Sequence, residues 1–206
     1  MRYELQCMVA MLLLLFSGGG PAAGQEETSQ EVLLRDLRSK DEGRQLEAVY
    51  GLTPSLENPV VLSALRDCAH TGSAKVLSRI LAAFDSYSEE SGAALAGLAL
   101  SDKVAQKRAV AAWHLGRVRP SSARPHLNAL RSALTAAEPD VRRQAIRSLG
   151  ELEDRDSIVQ LLGVATADSD PTIRVEALRS AHLAAASLAE GHASGNRIRA
   201  ACSVAA

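Results

Sequence analysis

The chain has 206 residues, of which 47% are hydrophobic and only 3% aromatic, and its 23 basic residues nearly balance 24 acidic ones. The apolar fraction is sufficient for a folded core. With so few aromatic residues that core must consist of Ala, Leu and Val, which favours closely packed helices over a β-sandwich. The balanced charge argues against a nucleic-acid-binding domain, which usually carries a basic excess or a basic face.

Residues 1–24 have the order of a secretory signal: a weakly basic start, the apolar run CMVAMLLLLF at Cys7–Phe16, and small residues at Ala22 and Gly24. The apolar run is about half of the ~20 residues needed to span a bilayer. We therefore expect cleavage near Gln25 and an exported protein, periplasmic or secreted, without stable membrane insertion. An uncleaved anchor is the alternative.

A capping-box sequence, TSQE at Thr28–Glu31, predicts that the mature chain opens with a helix over Val32, Leu33, Leu34 and Leu37. This helix stands where the second helix of a preceding repeat would lie. We expect it to cover the exposed face of the first full repeat.

The rest of the chain repeats itself with a period of 31–34 residues. A small or apolar residue followed four residues later by an apolar one marks a first helix, in the pairs Ala48/Leu52, Ile80/Phe84, Ala111/Leu115, Ala145/Leu149 and Ala177/Ala181. A second series lies between them, in the pairs Leu62/Leu65, Leu95/Leu98, Leu127/Leu130 and Ile158/Leu161. Two interleaved series with helical spacing predict two helices per repeat.

Residues typical of helix ends lie between these segments. Asp170-Pro171 offers an N-cap followed by proline in the first turn. Gly116 and Gly150 are expected to end their first helices in a left-handed conformation. Asp154 or Asp156 is expected to cap the second helix that follows.

A single helical hairpin cannot bury its apolar face, whereas stacked hairpins share one continuous core. The sequence therefore predicts an all-α solenoid of about five helical hairpins over residues 25–190. Residues 191–206 form a C-terminal tail that either makes a short capping helix or frays.

The segments DVRRQAIRSLGEL and DPTIRVEALRSA resemble the HEAT-repeat family, and more narrowly the short bacterial repeats of phycobilisome lyases. The match to the pattern D-x-V-R-x-x-A-x-x-A/S-L-G is good over 138–182, fair over 102–118 and weak over 41–100. The resemblance implies an α-solenoid fold. It does not imply an activity, because function belongs to sites rather than folds.

The sequence has no P-loop, dinucleotide-binding glycine pattern, G-x-S-x-G elbow or H-E-x-x-H motif. None of the five histidines has a second ligand type at i+4, so we expect surface or boundary histidines and no metal site. We predict no catalytic residue, no cofactor and no enzymatic activity.

Cys68 and Cys202 are too few for a disulfide scaffold. An extended stack separates them by on the order of 40 Å, which forbids a disulfide. We expect Cys68 to be a buried free thiol and Cys202 to be exposed or paired between chains.

Three further residues have two interpretations each. Arg142 and Arg174 recur one turn into first helices, and we expect them to bond turn carboxylates or carbonyls, at ~0–1 kcal/mol each for partly exposed pairs. A basic stripe for an anionic ligand is the alternative. Trp113 lies beside Leu115 in a first helix, just outside the seam, as we call the five recurring pairs of the first helices. Packing in the core or between repeats is favoured over a role as a binding anchor.

The second helices form a ridge that, by resemblance, lines the concave face of HEAT-like stacks. Its candidate partner-binding residues are Ser63, Arg66, His70, Asn128 and Arg131. We predict an exported, non-enzymatic scaffold that binds a protein partner through this ridge, with no nucleic acid. Two alternatives remain: a lyase-like enzyme or chaperone acting on a bilin-type cofactor, as in the resembling lyases, and a binder of nucleic-acid backbones.

Overall fold

The computed structural model describes residues 28–186, which contain helices, turns and connecting segments and no strand. The α-helices in chain order are α1 (Ser29–Asp36), α2 (Glu42–Leu52), α3 (Pro59–Thr71), α4 (Ala74–Tyr87), α5 (Glu89–Ala99), α6 (Ala105–Leu115), α7 (Pro120–Ala123), α8 (Leu127–Ala133), α9 (Pro139–Glu151), α10 (Ile158–Ala167) and α11 (171–186). Short 3₁₀ turns occupy Thr53–Ser55, Arg124–His126 and Arg155–Ser157. The predicted signal segment, the tail 191–206 and Cys202 lie outside the described residues.

The helices alternate as the sequence predicts. Helices α2, α4, α6, α9 and α11 are the first helices of successive repeats, and α3, α5, α7 with α8, and α10 are the second helices. The described part of the chain therefore contains four complete hairpins and the first helix of a fifth. The all-α solenoid is confirmed, and none of its described helices is long and apolar enough to cross a bilayer.

The predicted seam of first helices is the core of the stack. All ten residues of the first series are at most 3% exposed. In the second series Leu65, Leu95, Leu130 and Leu161 are buried, but Leu98 is 65% exposed. The expectation for Leu98 was wrong, because Ala96 and Ala99 of the same helix provide the buried face instead.

Helix α1 closes the N-terminal end of the stack. Thr28 and Glu31 form the predicted capping box, with each side chain accepting a hydrogen bond from the other residue's backbone N–H. Leu37 is 2% exposed, and the side chain of Leu33 packs directly over Gly51 of α2. The prediction that this helix covers the first repeat is confirmed.

Of two predictions about the starts of helices, one is confirmed and the other is wrong. Asp170 does cap α11, since its carboxylate accepts the Thr172 backbone N–H at 2.8 Å. Neither Asp154 nor Asp156 caps α10, which begins after Ser157 without a side-chain cap. The carboxylate of Asp154 instead receives two hydrogen bonds from Arg131.

Gly116 and Gly150 do not end their helices in the predicted left-handed conformation. Gly116 has φ −69°, in the right-handed region, and Gly150 lies inside α9. The left-handed residue at the end of α9 is Glu153, with φ 52°. A Cβ on Gly116 would lie 2.8 Å from Cα of Ser148, and a Cβ on Gly150 would lie 2.9 Å from Cα of Ser180. These glycines therefore allow successive first helices to approach closely.

Candidate functional site

An open cleft runs between the second helices α8 and α10. Its volume is about 1080 Å³. Asn128, Arg131 and Ser132 line it from α8, and Gln160 and Gly163 line it from α10. Nothing lies within 4 Å of the position that a Cβ on Gly163 would occupy. The cleft is thus an open surface groove with both polar and apolar walls, and Gly163 leaves free space on its α10 side.

Arg131, one of the predicted partner-binding residues, is held in a network on the rim of this cleft. It donates to Asp154 at 2.6 and 2.8 Å, to Asp156 at 3.2 Å and to Asn128 at 3.0 Å. The hydrogen bonds that Arg131 donates to Asp154 raise the pKa of its guanidinium. Its side chain is 19% exposed. The charge of Arg131 is therefore already compensated, whereas the carboxylate of Asp156 is 83% exposed and available.

The other three predicted residues lie on α3, in the first full repeat. The side chains of Ser63, Arg66 and His70 are all exposed. The intervening second helix α5 separates them from Asn128 and Arg131, a distance of about 20 Å at usual helix spacings. The structure thus does not gather the predicted residues into one compact site, and the α8–α10 cleft contains only two of them.

The recurring arginines are structural. Arg142 donates to both carboxylate oxygens of Asp168, at 2.7 and 3.0 Å, and to the carbonyls of Ala136 and Ala137. Arg174 donates to the carbonyls of Asp168 and Ser169. Hydrogen bonds from Arg142 lower the pKa of the Asp168 carboxyl. The predicted bonds from these arginines to turn carboxylates and carbonyls are therefore found in both repeats. We call this recurring set of bonds the ladder.

The same position carries this role in two earlier repeats. Arg108 donates to the carbonyls of Asp102 and Lys103 and to the Glu138 carboxylate at 2.6 Å. Gln45 donates to the Ser39 carbonyl. In each case the carbonyl belongs to the residue six positions before the donor. These hydrogen bonds therefore tie the loop before four of the five first helices to the helix that follows it.

The second repeat has Leu77 at the position of these arginines. Here Lys107 of the next first helix, α6, binds the carbonyls that precede α4. Lys107 is 3% exposed, and its ammonium donates to the carbonyls of Ala69 and His70 at 3.1 and 2.6 Å. These carbonyls end α3, where a positive charge is favoured by the helix dipole. Asp102 lies 3.5 Å from the same ammonium.

Sequence reasoning missed a set of exposed aromatic side chains on the first helices. Trp113 is 44% exposed and Tyr50 is 69% exposed, so the expectation that Trp113 packs in the core or between repeats was wrong. The guanidinium of Arg117 lies 4.9 Å from the Trp113 ring centre, and that of Arg79 lies 5.2 Å from the Tyr50 ring centre. Both pairs have cation–π geometry. One feature of the sequence could have indicated this exposure: Trp113 is not one of the two recurring buried residues of its helix, Ala111 and Leu115.

His114 is an exception to the expected surface histidines. Its ring is 4% exposed, and Nε2 lies 3.2 Å from Oδ1 of Asp85 without forming a hydrogen bond. Burial, and after it the positive charge of Arg117, lowers the pKa of His114 to about 4, against the opposing effect of the Glu89 carboxylate. Burial also raises the pKa of Asp85 to about 6. Within residues 28–186, no three side chains of metal-binding type lie close enough to share an ion.

The repeats match a family model. Residues 89–181 match the model for HEAT repeats, which includes the segments whose pattern first indicated this family. No curated protein matches the chain.

Solved structures share the fold. An engineered protein of the Northeast Structural Genomics Consortium is 20% identical, with a TM-score of 0.51, over 76% of this chain and 79% of its own. The complex of CpcE and CpcF of phycocyanin lyase from Nostoc sp. PCC7120 contains a chain that is 15% identical, with a TM-score of 0.52, over 82% of this chain and 69% of its own. At these identities the likeness concerns the fold alone. Residues 89–181 therefore match the HEAT-repeat family, and the described chain is an all-α solenoid.

Proposed function

We propose that the protein is an exported, non-enzymatic scaffold that binds a protein partner in the cleft between α8 and α10. HEAT-repeat stacks generally act by presenting such surfaces to proteins. The proposal is supported above all by the open space at Gly163, an exposed residue that lines the cleft and whose Cβ, if present, would meet no other atom within 4 Å. Open space flanked by Asn128, Gln160 and the exposed Asp156 suits a segment with polar and basic side chains.

Gly163 provides a direct test, because the cleft can be filled from this position without disturbing the core. Gly163→Gln places a long neutral side chain in the cleft, and Gly163→Ala leaves the cleft nearly open. Both changes raise helix propensity relative to glycine, so neither is expected to unfold α10. The measurement is quantitative capture of proteins from the envelope fraction or medium of the native cell, with the original protein and both variants as bait.

A partner of the cleft should be captured equally by the original protein and by Gly163→Ala, and at least about tenfold less by Gly163→Gln, a loss of roughly 1.4 kcal/mol in binding free energy. A partner that is identified in this way is then titrated against Asp156→Asn, which removes the exposed carboxylate of the rim. Equal capture by all three baits would place the binding surface elsewhere.

Export is the second part of the proposal, and it rests on the sequence of residues 1–24. Intact-mass measurement on protein from the native cell is expected to show a chain that begins near Gln25, outside the cytoplasm. A mass that includes Met1, in a cytoplasmic fraction, would contradict export.

A second candidate function is supported by the likeness to the phycocyanin lyase structure. In this case the chain would act on a bilin-type cofactor as an enzyme or chaperone. Co-expression with a bilin separates the candidates, since a lyase-like protein would carry a visible absorption band after purification and a protein-binding scaffold would not.

A further inference from the structure

One position on the first helices is exposed in all five of them. It lies two residues after the first member of each seam pair, and we call its residues the outer row: Tyr50, Ala82, Trp113, Arg147 and Arg179. A helix face that meets only water usually carries polar residues. The outer row instead carries two exposed rings, since Tyr50 is 69% exposed and Trp113 is 44% exposed. Tryptophan, tyrosine and arginine are the residues on which binding energy concentrates at protein interfaces.

Each ring of the outer row is paired with an arginine that has no acidic partner. The guanidinium of Arg79 stacks on Tyr50 and that of Arg117 on Trp113, at the cation–π distances given above. Neither guanidinium forms a salt bridge with a carboxylate of residues 28–186, whereas Arg147 of the same row donates to Glu176 at 2.8 Å. A stacked guanidinium contacts the ring through its flat face and keeps its in-plane N–H donors for another acceptor. Two ring-supported donors are therefore available to an anionic ligand.

The surface around these pairs has room for an extended chain. A shallow depression of about 410 Å³ opens beside Tyr50 and Arg79, on the C-terminal half of α2 and α4. Tyr50 and Trp113 lie on first helices two repeats apart, which is about 20 Å at usual helix spacings. Between them the outer row has only the small side chain of Ala82. An extended peptide covers this distance with about six residues.

We propose that the outer row binds an extended acidic segment of a partner protein, about six residues long. One carboxylate of the segment pairs with Arg79 and a second with Arg117, in the bidentate geometry that suits arginine and carboxylate. Apolar side chains of the segment pack on Tyr50 and Trp113. This surface belongs to the first helices, so the proposal is independent of the cleft between the second helices α8 and α10.

The charges of the same face favour a peptide over a nucleic acid. Single-stranded nucleic acids also stack on aromatic rings, but they follow a continuous basic groove. Here Glu47 lies one turn before Tyr50, and Glu176 lies one turn before Arg179. These carboxylates interrupt the basic residues at both ends of the row. A short segment with two carboxylates avoids them, whereas a phosphate at every nucleotide does not.

Trp113 is the only tryptophan in the sequence, so tryptophan fluorescence reports on the outer row directly. The probes are blocked synthetic peptides of about six residues with two glutamates, separated by various numbers of alanines and valines, and the same peptides with glutamine instead. At least one glutamate peptide should change the emission of the full chain saturably. Its Kd should be at least about tenfold lower than that of its glutamine counterpart, since bonds to charged groups are the stronger ones.

Arginine variants separate contact from net charge. Arg79→Gln and Arg117→Gln should each weaken binding of the glutamate peptide about fivefold or more. Both arginines are exposed, so neither change should lower the denaturation midpoint appreciably. Arg38→Gln is the matched control, because Arg38 is an exposed arginine outside the outer row and its loss removes the same charge. It should leave the Kd unchanged.

Other results would overturn the inference. No saturable change in emission with any glutamate peptide up to about 5 mM, where even weak binding is visible, would show that the row does not take an acidic segment. Equal weakening by Arg38→Gln would reduce the effect to net charge. Tighter binding of a single-stranded oligothymidylate than of every peptide, lost in Arg79→Gln and Arg117→Gln, would assign the outer row to nucleic acid.

Discussion

Ser148 of α9 lies so close to Gly116 at the end of α6 that a Cβ on Gly116 would stand 2.8 Å from the Ser148 Cα. The Ser148 hydroxyl completes the contact by donating to the Ala112 carbonyl at 2.7 Å. Gly150 and Ser180 repeat the same approach one repeat later. A glycine facing a serine therefore sets the distance between successive first helices at two interfaces.

Gly116→Ala is expected to destabilise the protein, because the added methyl group meets backbone atoms that cannot move without separating α6 from α9. The expected cost is roughly 1–3 kcal/mol, as for overpacked cores. Gly163→Ala is the matched control, since its Cβ meets nothing within 4 Å, and it should stabilise the protein by about 0.5–1 kcal/mol. Urea titration of both variants measures the difference, and midpoints shifted in the same direction would contradict this account.

Arg142→Met is expected to cost roughly 3 kcal/mol, because it leaves the Asp168 carboxylate buried without its partner. The side chains of Arg142 and Asp168 are 12% and 6% exposed, so the ~0–1 kcal/mol expected for partly exposed pairs does not apply to this pair. Arg143→Met provides the comparison: Arg143 lies 3.2 Å from Asp140, which is 81% exposed, and 3.5 Å from Asp170, which is 29% exposed. Loss of these more exposed pairs should cost at most about 1 kcal/mol. Similar denaturation midpoints for the two variants would mean that the ladder contributes little.

The repeat period was predictable because it depends only on which residues recur on one helical face. The ten seam residues are buried as predicted. The predicted bonds of Arg142 and Arg174 to the preceding loop are also present, with the same spacing from the loop in both repeats. The roles of Gly116 and Gly150 were not predictable, since a glycine serves a left-handed turn and a close approach equally well. Only the position of Ser148, 32 residues away in the chain, distinguishes them.

The candidate site was less predictable than the fold. Asn128 and Arg131 do line the α8–α10 cleft, but the pairing of Arg131 with Asp154 depends on where the turn before α10 places that carboxylate. The second helix of this repeat is also broken into α7 and α8, where Pro125 in the turn Arg124–His126 interrupts the helical hydrogen bonds. Periodicity alone predicts neither the break nor the opening that it leaves beside α10.

Cys68 is expected to resist thiol reagents in the folded protein. It is 2% exposed, and burial raises the pKa of its thiol, which lowers the fraction of reactive thiolate. Labelling should therefore proceed only as fast as α3 opens, and at full rate in denaturant. Peptide mapping after labelling identifies the thiol. A disulfide between Cys68 and Cys202 within one chain would contradict the extended stack.

The stability of the fold should decrease in mild acid because of His114. It occupies the repeat position of Ser148 and Ser180, and Asp85 that of Gly116 and Gly150. A contact between the buried His114 and the 39% exposed Asp85 therefore replaces the serine–glycine contact between α4 and α6. Burial lowers the pKa of His114 from 6.5 to about 4. A lowered folded-state pKa means that the neutral ring contributes its full stability above pH 6.5, and that this contribution is lost as the pH falls towards 4.

The pH profile of His114→Gln tests this contribution. The loss in the original protein approaches roughly 3 kcal/mol near pH 4, so a neutral glutamine should make the variant gain relative to the original protein between pH 6.5 and 4. Asp85 has the opposite effect on stability as the pH falls. Its pKa is raised to about 6, so its protonation in mild acid favours the folded protein. Asp85→Asn should therefore steepen the acid loss by removing that compensation. Urea titrations at pH 7, 5.5 and 4.5 measure all three proteins, and a constant difference between His114→Gln and the original protein would show that His114 does not titrate in this range.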